Sequence, residues 1–232
     1  MPECSIIVVF DNNTLREDLI PGWGFACVVR FQQKTILFDT GGDGAVLLNN
    51  MKKLNVDPHD IEAVVLSHAH FDHTDGLGLF LEANPKVMVY LPQSFPASFK
   101  HRVLNTGAAV EDIDESRELF PGVFTTGEMK GAVPEEALVL VTSRGDVVIT
   151  GCAHPGIVNI VQRAKSLTGN TIHLVIGGFH FPKPDVVTKF KELGVERVAP
   201  CHCTGDEGMA MFSKTYGTNY IEIGVGKGVD IE

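Results

Sequence analysis

Three histidines and one aspartate lie within six consecutive residues of this chain. The segment reads HAHFDH at 68–73, and neutral imidazole and carboxylate are ligands of zinc, iron and manganese ions. Such ions lower the pKa of bound water towards ~7, which creates hydroxide, and they polarise carbonyl or phosphoryl oxygens. A plain polar loop needs no such concentration of ligands, so the segment predicts a metal site that supports hydrolytic or related chemistry.

A buried strand is expected to present this cluster. Residues 63–66 are all apolar and lead directly towards His68. Side chains two residues apart on an extended chain point to the same side, so we expect His68 and His70 to converge on one ion. Asp72 and His73 follow at the turn into a helix, where they are expected to face a second ion.

Apolar runs alternate with amphipathic segments along the chain. The N-terminal part has hairpin-like patterns and the C-terminal part has βα units, which predicts an α/β fold of two packed mixed sheets flanked by helices. The predicted strands are 6–10, 25–31, 35–38, 63–66, 87–91, 138–142, 147–149, 172–176, 197–199 and 221–223. The predicted helices are 45–54, 74–82, 156–166, 185–193 and 207–216.

The length of 232 residues favours a single domain over 1–232. Residues 92–121 fit the alternation poorly, because they mix short helical patterns with charges. We expect this stretch to be an insertion or lid over the site, with a surface excursion of no special role as the alternative.

The composition limits the kinds of binding partner that we expect. The net charge is −10, from 19 Lys and Arg against 29 Asp and Glu, which disfavours nonspecific binding to nucleic acid or to an anionic membrane. No apolar run suggests a signal sequence or a membrane span, and an odd count of 5 cysteines argues against a disulfide framework. We therefore expect a cytoplasmic protein with a small-molecule substrate; the sequence does not indicate its oligomeric state.

Three segments together resemble the metallo-β-lactamase superfamily. HAHFDH matches its HxHxDH signature, ILFDTGG at 36–42 resembles the strand and turn before that signature, and Pro200–Cys201–His202 resembles the late turn with its last histidine ligand. The resemblance implies an αββα sandwich with the metal site at one edge between the sheets. It also implies that Asp39 orients ligands.

The resemblance further implies a ligand set. His68 and His70 correspond to ligands of the first metal, and Asp72, His73 and His202 to ligands of the second. For His202, the alternative is an ordinary buried histidine of the core. One or two divalent ions are implied, with zinc favoured and iron or manganese as alternatives.

One segment departs from the superfamily. Relatives carry a metal-bridging aspartate after a Thr-Gly pair, whereas residues 147–156 read VVITGCAHPG and place Cys152 there. If the segment is extended, Cys152 and His154 point to the same side. We expect His154 to bind the first metal; Cys152 is either a ligand or a small side chain that fills buried space.

A narrower set of motifs resembles the subfamily of the dihydropterin-methyl ribofuranosylaminobenzene phosphate synthases of methanopterin biosynthesis, many of whose relatives are called metal-dependent hydrolases. The motifs are DNNT at 11–14, GWGF at 22–25, GCAHPGIVNIV at 151–161, IGGFHF at 176–181 and APCHCTGDE at 199–207.

Other side chains are candidates for contact with substrate. His180 follows a strand in a glycine-bearing turn and is expected to bind substrate or act as a general acid, with an ordinary loop histidine as the alternative. His101 and Arg102 are candidates to contact an anionic substrate, although a solvated basic patch explains them as well. Cys201 and Cys203 flank His202 and are expected to pack in the core.

The favoured function is a metal-dependent hydrolase that acts on a small phosphorylated or ester-bearing metabolite, with Asp72 orienting the attacking water. The alternative is a transferase that joins a pterin-methyl diphosphate to an arylamine with loss of diphosphate. A noncatalytic metal-dependent ligand sensor ranks third. The transferase needs a pocket for flat rings, which would be lined by Trp23, Phe95, Phe99 and Phe179, although such side chains are more often core residues.

Overall fold

The computed structural model describes residues 3–232, which form two compact units. The first comprises residues 3–114 and 224–231, and the second comprises residues 115–223 with Glu232. Each unit has its own mixed sheet and its own hydrophobic core.

The regular elements alternate along the chain. In chain order the strands are β1 (Cys4–Phe10), β2 (Ala26–Phe31), β3 (Lys34–Phe38), β4 (Ala63–Val65), β5 (Met88–Pro92), β6 (Ala109–Ile113), β7 (Arg117–Phe120), β8 (Val123–Thr125), β9 (Leu138–Thr142), β10 (Gly145–Thr150), β11 (Ile172–Gly178), β12 (Arg197–Cys201) and β13 (Gly228–Ile231). The helices are α1 (Gly44–Lys53), α2 (Phe71–Thr74), α3 (Leu77–Ala83), α4 (Ala97–Asn105), α5 (Ile157–Thr168), α6 (Asp185–Glu192) and α7 (Gly205–Tyr216).

The first unit is built on a seven-stranded sheet in the order β13-β1-β2-β3-β4-β5-β6. Pairing is antiparallel from β13 to β3 and parallel from β3 to β6. Asp43 caps the N-terminus of helix α1, because its carboxylate accepts hydrogen bonds from the backbone N–H groups of Ala45 and Val46. Its buried residues Leu47 and Met51 lie four positions apart on one face, which packs into the core of this unit.

The second unit is built on a six-stranded sheet in the order β12-β11-β10-β9-β8-β7. The strands β10, β11 and β12 are parallel, and β7 to β10 are antiparallel. Every residue of β11 is buried, as expected for a central strand covered on both faces. Helix α5 buries Ile157, Ile160, Val161 and Ala164, the spacing of an amphipathic helix that faces a core.

Most predicted elements are confirmed, with boundary shifts of a few residues. The predicted helix 74–82 was wrong in part, because the chain forms α2 and α3 with a break at Asp75 and Gly76. The predicted strand 221–223 was also wrong: Tyr220 makes only an isolated bridge to Val198. Four strands, β6, β7, β8 and β13, were not predicted, because they are short and carry exposed or polar residues.

Residues 92–121 contain more regular structure than their sequence suggested. They hold α4, β6 and β7, and β6 pairs in parallel with β5 as the edge strand of the first sheet. Part of this stretch is therefore integral to the first unit, and a lid role for the remainder stays a prediction. Within residues 3–232, no helix is long and apolar enough to cross a membrane.

Candidate metal centre

The HAHFDH segment lies where β4 gives way to α2. The imidazole nitrogens His68 Nε2 and His70 Nδ1 lie 3.1 Å apart, and the ring centres of these two histidines are 4.7 Å apart. The His73 ring is 4.3 Å from that of His68. The three histidines therefore form one cluster in the first unit.

Asp39 organises this cluster from the end of β3. One carboxylate oxygen accepts a hydrogen bond from the Ser67 backbone N–H at 2.7 Å, and the other accepts from the Ser67 hydroxyl at 2.7 Å. Because that hydroxyl proton is used, the Ser67 oxygen is left to accept from Nδ1–H of His68, 2.9 Å away. This chain of hydrogen bonds engages Nδ1 of His68 and directs Nε2 of the same ring towards His70, as in metal sites where the second ring nitrogen is held by a hydrogen bond.

The same carboxylate fixes a second histidine. Nδ1 of His73 lies 2.7 Å from Asp39 Oδ2, so Nε2 of His73 is the candidate nitrogen for binding a metal. Both side chains are fully buried. Asp39 itself has a φ of +54°, a backbone conformation that aspartate and asparagine adopt more readily than most residues. The prediction that Asp39 orients ligands is supported by these contacts.

The donor atoms of the first unit fit a first-row divalent cation. Asp72 Oδ2 lies 3.8 Å from His73 Nε2. This separation, like the 3.1 Å between His68 and His70, is shorter than twice the ~2.0–2.1 Å bond of zinc to such ligands. Each pair can therefore bind one ion without a large rearrangement.

The GWGF segment, residues 22–25, contacts the backbone of Asp72. The N–H of Phe25 donates to the Asp72 carbonyl at 3.4 Å. Gly24 has a φ of +141°, and a Cβ placed on it would lie 2.1 Å from the same carbonyl oxygen. Only glycine permits this close approach. The contact therefore explains why a glycine is needed at this position, although the motif is far in sequence from the candidate ligands.

Substitution of Asp39 by asparagine is expected to weaken metal binding about 10–100-fold, because the partner that orients His73 and, through Ser67, His68 is lost. Asparagine tolerates the left-handed backbone, so folding should survive. Metal titration of the apo protein measures the effect, and the exposed Asp60→Asn serves as the control. An unchanged affinity in the Asp39 variant would contradict an orienting role.

In the second unit, Cys152 and His154 lie in a tight turn after β10. The buried carboxylate of Glu135 holds this turn: Oε1 accepts from the N–H groups of Gly151, Cys152 and Ala153 at 2.9–3.1 Å, and Oε2 from that of His154 at 2.7 Å. The assumption of an extended segment was therefore wrong. The turn instead positions both side chains through one carboxylate.

His180 and His202 also lie in turns that follow strands. Both have left-handed backbones, with φ of +49° and +48°, and His202 begins a short 3₁₀ helix, His202–Thr204. The His180 ring is 4.4 Å from that of His154, so the second unit brings these two predicted residues together. His202 is buried, whereas His180 is exposed.

Cys201 and Cys203 are both buried, as expected for residues that pack in the core. The Cys203 sulfur also lies close to the Cys152 sulfur and to a ring nitrogen of His180, because these three ligand atoms are all within 4.8 Å of one another. The hydrogen bond from Cys152 is the main cause that holds the pKa of Cys203 well below its usual value, and the Cys203 contact raises the pKa of His180.

The candidate substrate contacts of the first unit lie on α4. His101 is exposed, and the Arg102 guanidinium sits 5.3 Å from the centre of the Phe99 ring. Arg102 and Phe99 line a cavity of about 250 Å³, which also borders Thr74, next to His73. Their contact with substrate stays a prediction.

The aromatic residues considered for a ring-binding pocket divide into two groups. Phe95 and Phe179 belong to the buried cores of the first and second units, respectively, so packing accounts for them. Trp23 is 54% exposed, and Phe99 is only partly buried. Only the latter two remain candidates to contact a flat substrate.

Two residues that position the candidate site residues were not predicted from the sequence. Ser67 could have been found as a hydroxyl next to the first histidine, but Glu135 lies in a Pro-Glu-Glu segment that looks like an ordinary solvated loop. Glu135 and its neighbour Glu136 are in fact fully buried. Burial of a charge in a turn has no local sequence signal.

Comparison with known proteins agrees with these arrangements. The model of the metallo-β-lactamase superfamily matches residues 21–202. The 7,8-dihydropterin-6-methyl-4-(beta-D-ribofuranosyl)-aminobenzene-5'-phosphate synthase of Methanocaldococcus jannaschii is 33% identical, over 84% of this chain and 84% of its own.

Solved structures give the same result. Tm1679, described as a metal-dependent hydrolase of the β-lactamase superfamily, is 28% identical and has a TM-score of 0.82. The match covers 99% of this chain and 99% of the Tm1679 chain. YhfI from Bacillus subtilis, a metallo-β-lactamase fold protein, is 15% identical, with a TM-score of 0.74 over 99% of this chain and 100% of its own, and shows the shared fold alone. The predicted fold class is confirmed, and the chain belongs to the metallo-β-lactamase superfamily.

Proposed function

We propose that this chain is a metal-dependent hydrolase of a small phosphorylated or ester-bearing metabolite. The observation that carries the proposal is the hydrogen-bond network of Asp39 and Ser67, which engages Nδ1 of both His68 and His73 and so orients the two imidazole rings within one cluster. Buried histidines held in this way are costly to build as mere packing, whereas catalytic metal sites depend on such orientation.

The proposed ligand set follows the family, residue by residue. His68 and His70 bind one divalent ion, with zinc favoured, and Asp72 and His73 bind a second. His154 and His202 complete the set by their place in the family order, and Cys152 stands where relatives carry the bridging aspartate. A bound divalent ion supplies Lewis acidity and lowers the pKa of water.

The side chains have separate roles in the proposed reaction. Asp72 orients the attacking water and accepts its hydrogen bond. His180, exposed and in a strained turn, donates a proton to the leaving group or binds the substrate. His101 and Arg102 attract an anionic part of the substrate, and the cavity beside Arg102 has apolar walls, including Leu77 and Leu81, that suit a hydrophobic group.

A second candidate is the transferase, favoured by the 33% identical synthase. In that reaction an arylamine nitrogen forms a bond to the methylene carbon of a pterin-methyl diphosphate, and the diphosphate leaves with the bonding electron pair. The amine proton is released to a base or to solvent. The same metal ions would neutralise the diphosphate, so one centre serves either reaction.

Assays of phosphodiesters, thioesters and lactones distinguish the two candidates. A hydrolase should turn over at least one of these classes, and Asp72→Ala should lose about 10²–10⁴-fold in rate, because the residue that orients water is absent. Asp60→Ala, an exposed carboxylate, is the matched control. If all hydrolysis assays fail, while a pterin-methyl diphosphate is consumed only in the presence of an arylamine, the transferase replaces the hydrolase.

A further inference from the structure

A cluster of two cysteines and a histidine lies entirely within the second unit. Cys152 Sγ, Cys203 Sγ and one ring nitrogen of His180 all lie within 4.8 Å of one another. The two cysteines are buried, and His180 is exposed. These residues come from three separate turns, after β10, β11 and β12, so their meeting is a product of the fold rather than of local sequence.

The backbone holds both sulfurs in place. The turn with Cys152 is fixed by the four N–H groups that Glu135 accepts. The carbonyl of Cys203 accepts a hydrogen bond from the N–H of Phe181 at 3.1 Å, which ties the turn of Cys203 to that of His180. A cluster that only filled space would not need such fixed turns.

Space is also kept open for the Cys203 sulfur. Gly178 is the last residue of β11, and a Cβ placed on it would lie 2.6 Å from Cys203 Sγ and 2.5 Å from the Gly151 carbonyl oxygen. Any other residue would therefore push the sulfur out of the cluster.

The turns around this cluster store strain. Ala153, His180, Phe181 and His202 all have φ between +47° and +63°, although none is glycine. Backbone strain of this kind, in residues that carry a Cβ, concentrates at functional sites.

We propose that Cys152, Cys203 and His180 form a binding site for a soft divalent cation, with zinc as the expected ion. Two thiolates and one imidazole are the ligands that zinc prefers, and three protein ligands leave one position open to an exogenous group. On binding, the thiol protons pass to solvent and each sulfur forms a bond to the cation. The exposure of His180 gives the ion a route of entry.

This site differs from the histidine–carboxylate centre in its donors, because it adds the Cys203 thiolate and the His180 imidazole and shares only Cys152 with the ligand set proposed above. Where the site is filled, His180 serves as a ligand and not as the general acid. It also differs from a C-x-C zinc site, because the second sulfur comes from Cys152 and not from Cys201. Cys201 is buried two residues from Cys203 and is absent from the group. It therefore provides a matched control.

The test is titration of the full chain with Co²⁺ after chelator treatment, in the presence of a phosphine reductant. We expect the ultraviolet charge-transfer absorption of thiolate-bound Co²⁺, competed away by Zn²⁺. Cys203→Ser and Cys152→Ser should each weaken this absorption and lower the bound metal, and His180→Ala should move the titration to higher Co²⁺. Cys201→Ser should match the wild type.

Three outcomes would overturn the proposal. They are an absorption that persists unchanged in Cys203→Ser, an equal loss in Cys201→Ser, or the absence of thiolate absorption from reduced wild-type protein. A disulfide between Cys152 and Cys203 that prevents metal uptake until reduction would support their proximity, but failure to bind after reduction would end the metal assignment. In His68→Ala/His70→Ala the thiolate absorption should persist, which separates this site from the proposed catalytic centre.

Discussion

Replacement of both His68 and His70 by alanine is expected to remove the metal that these residues bind and to abolish turnover. Their nitrogens lie 3.1 Å apart and are two of the ligands of one proposed ion, so the double variant leaves that ion without its main protein donors. In elemental analysis of purified protein, the metal held by the histidine–carboxylate centre should then fall by about one equivalent from a wild-type content of about one to two at that centre, in line with one- and two-metal sites.

The double variant His59→Ala/His101→Ala is the matched control for metal content. Both of these histidines are exposed, and the His59 ring contacts the nearby Asp57 carboxylate, so the loss of two imidazoles should not by itself change the bound metal. Thermal unfolding of both variants checks that each has folded. An unchanged metal content in the His68 and His70 variant would refute the assignment.

The candidate ligands that are contiguous in sequence could be placed together from local rules. His68, His70, Asp72 and His73 occupy one strand end and the turn that follows, and a strand fixes the direction of alternate side chains. The periodicity of apolar residues likewise located the central strands, because strands such as β11 are buried on both faces. Local rules of this kind need no knowledge of distant contacts.

The second unit shows where those rules stop. The positions of Cys152, His154 and Cys203 were inferred from an extended chain, yet Ala153 and His202 have left-handed backbones that change the direction of the chain. Glycine often signals such a turn, but alanine and histidine do not. At Ala153 the conformation is held by a tertiary contact, because the Glu135 carboxylate accepts a hydrogen bond from the Ala153 N–H.

Edge strands were missed for a related reason. Strand β6 pairs on one side only, and its residues are mostly exposed or partly buried, so it lacks the apolar alternation of a half-buried strand. Its pairing is set by the neighbouring β5 and not by its own composition. The same features made residues 92–121 look irregular.

Glu135→Ala is expected to lower the free energy of unfolding by about 3 kcal/mol or more, because a charge-assisted hydrogen bond contributes ~1.5–3 kcal/mol and four N–H groups lose their acceptor together. The turn that carries Cys152 and His154 should loosen as a result. Metal affinity should then fall by about 10–100-fold, the effect usual for residues that orient ligands. Urea denaturation and metal titration measure the two effects.

Glu135→Gln separates these effects. Its side-chain oxygen can still accept from Gly151, Cys152 and Ala153, but its amide group faces the N–H of His154 as a second donor. We therefore expect an intermediate loss of stability and a loss of metal affinity that persists in the folded protein. The exposed Glu192→Gln should change neither quantity. If Glu135→Ala retained wild-type stability and wild-type metal affinity, the carboxylate would have no part in building this turn. Water would then have replaced the carboxylate oxygens as acceptor for the four backbone N–H groups without any cost in free energy.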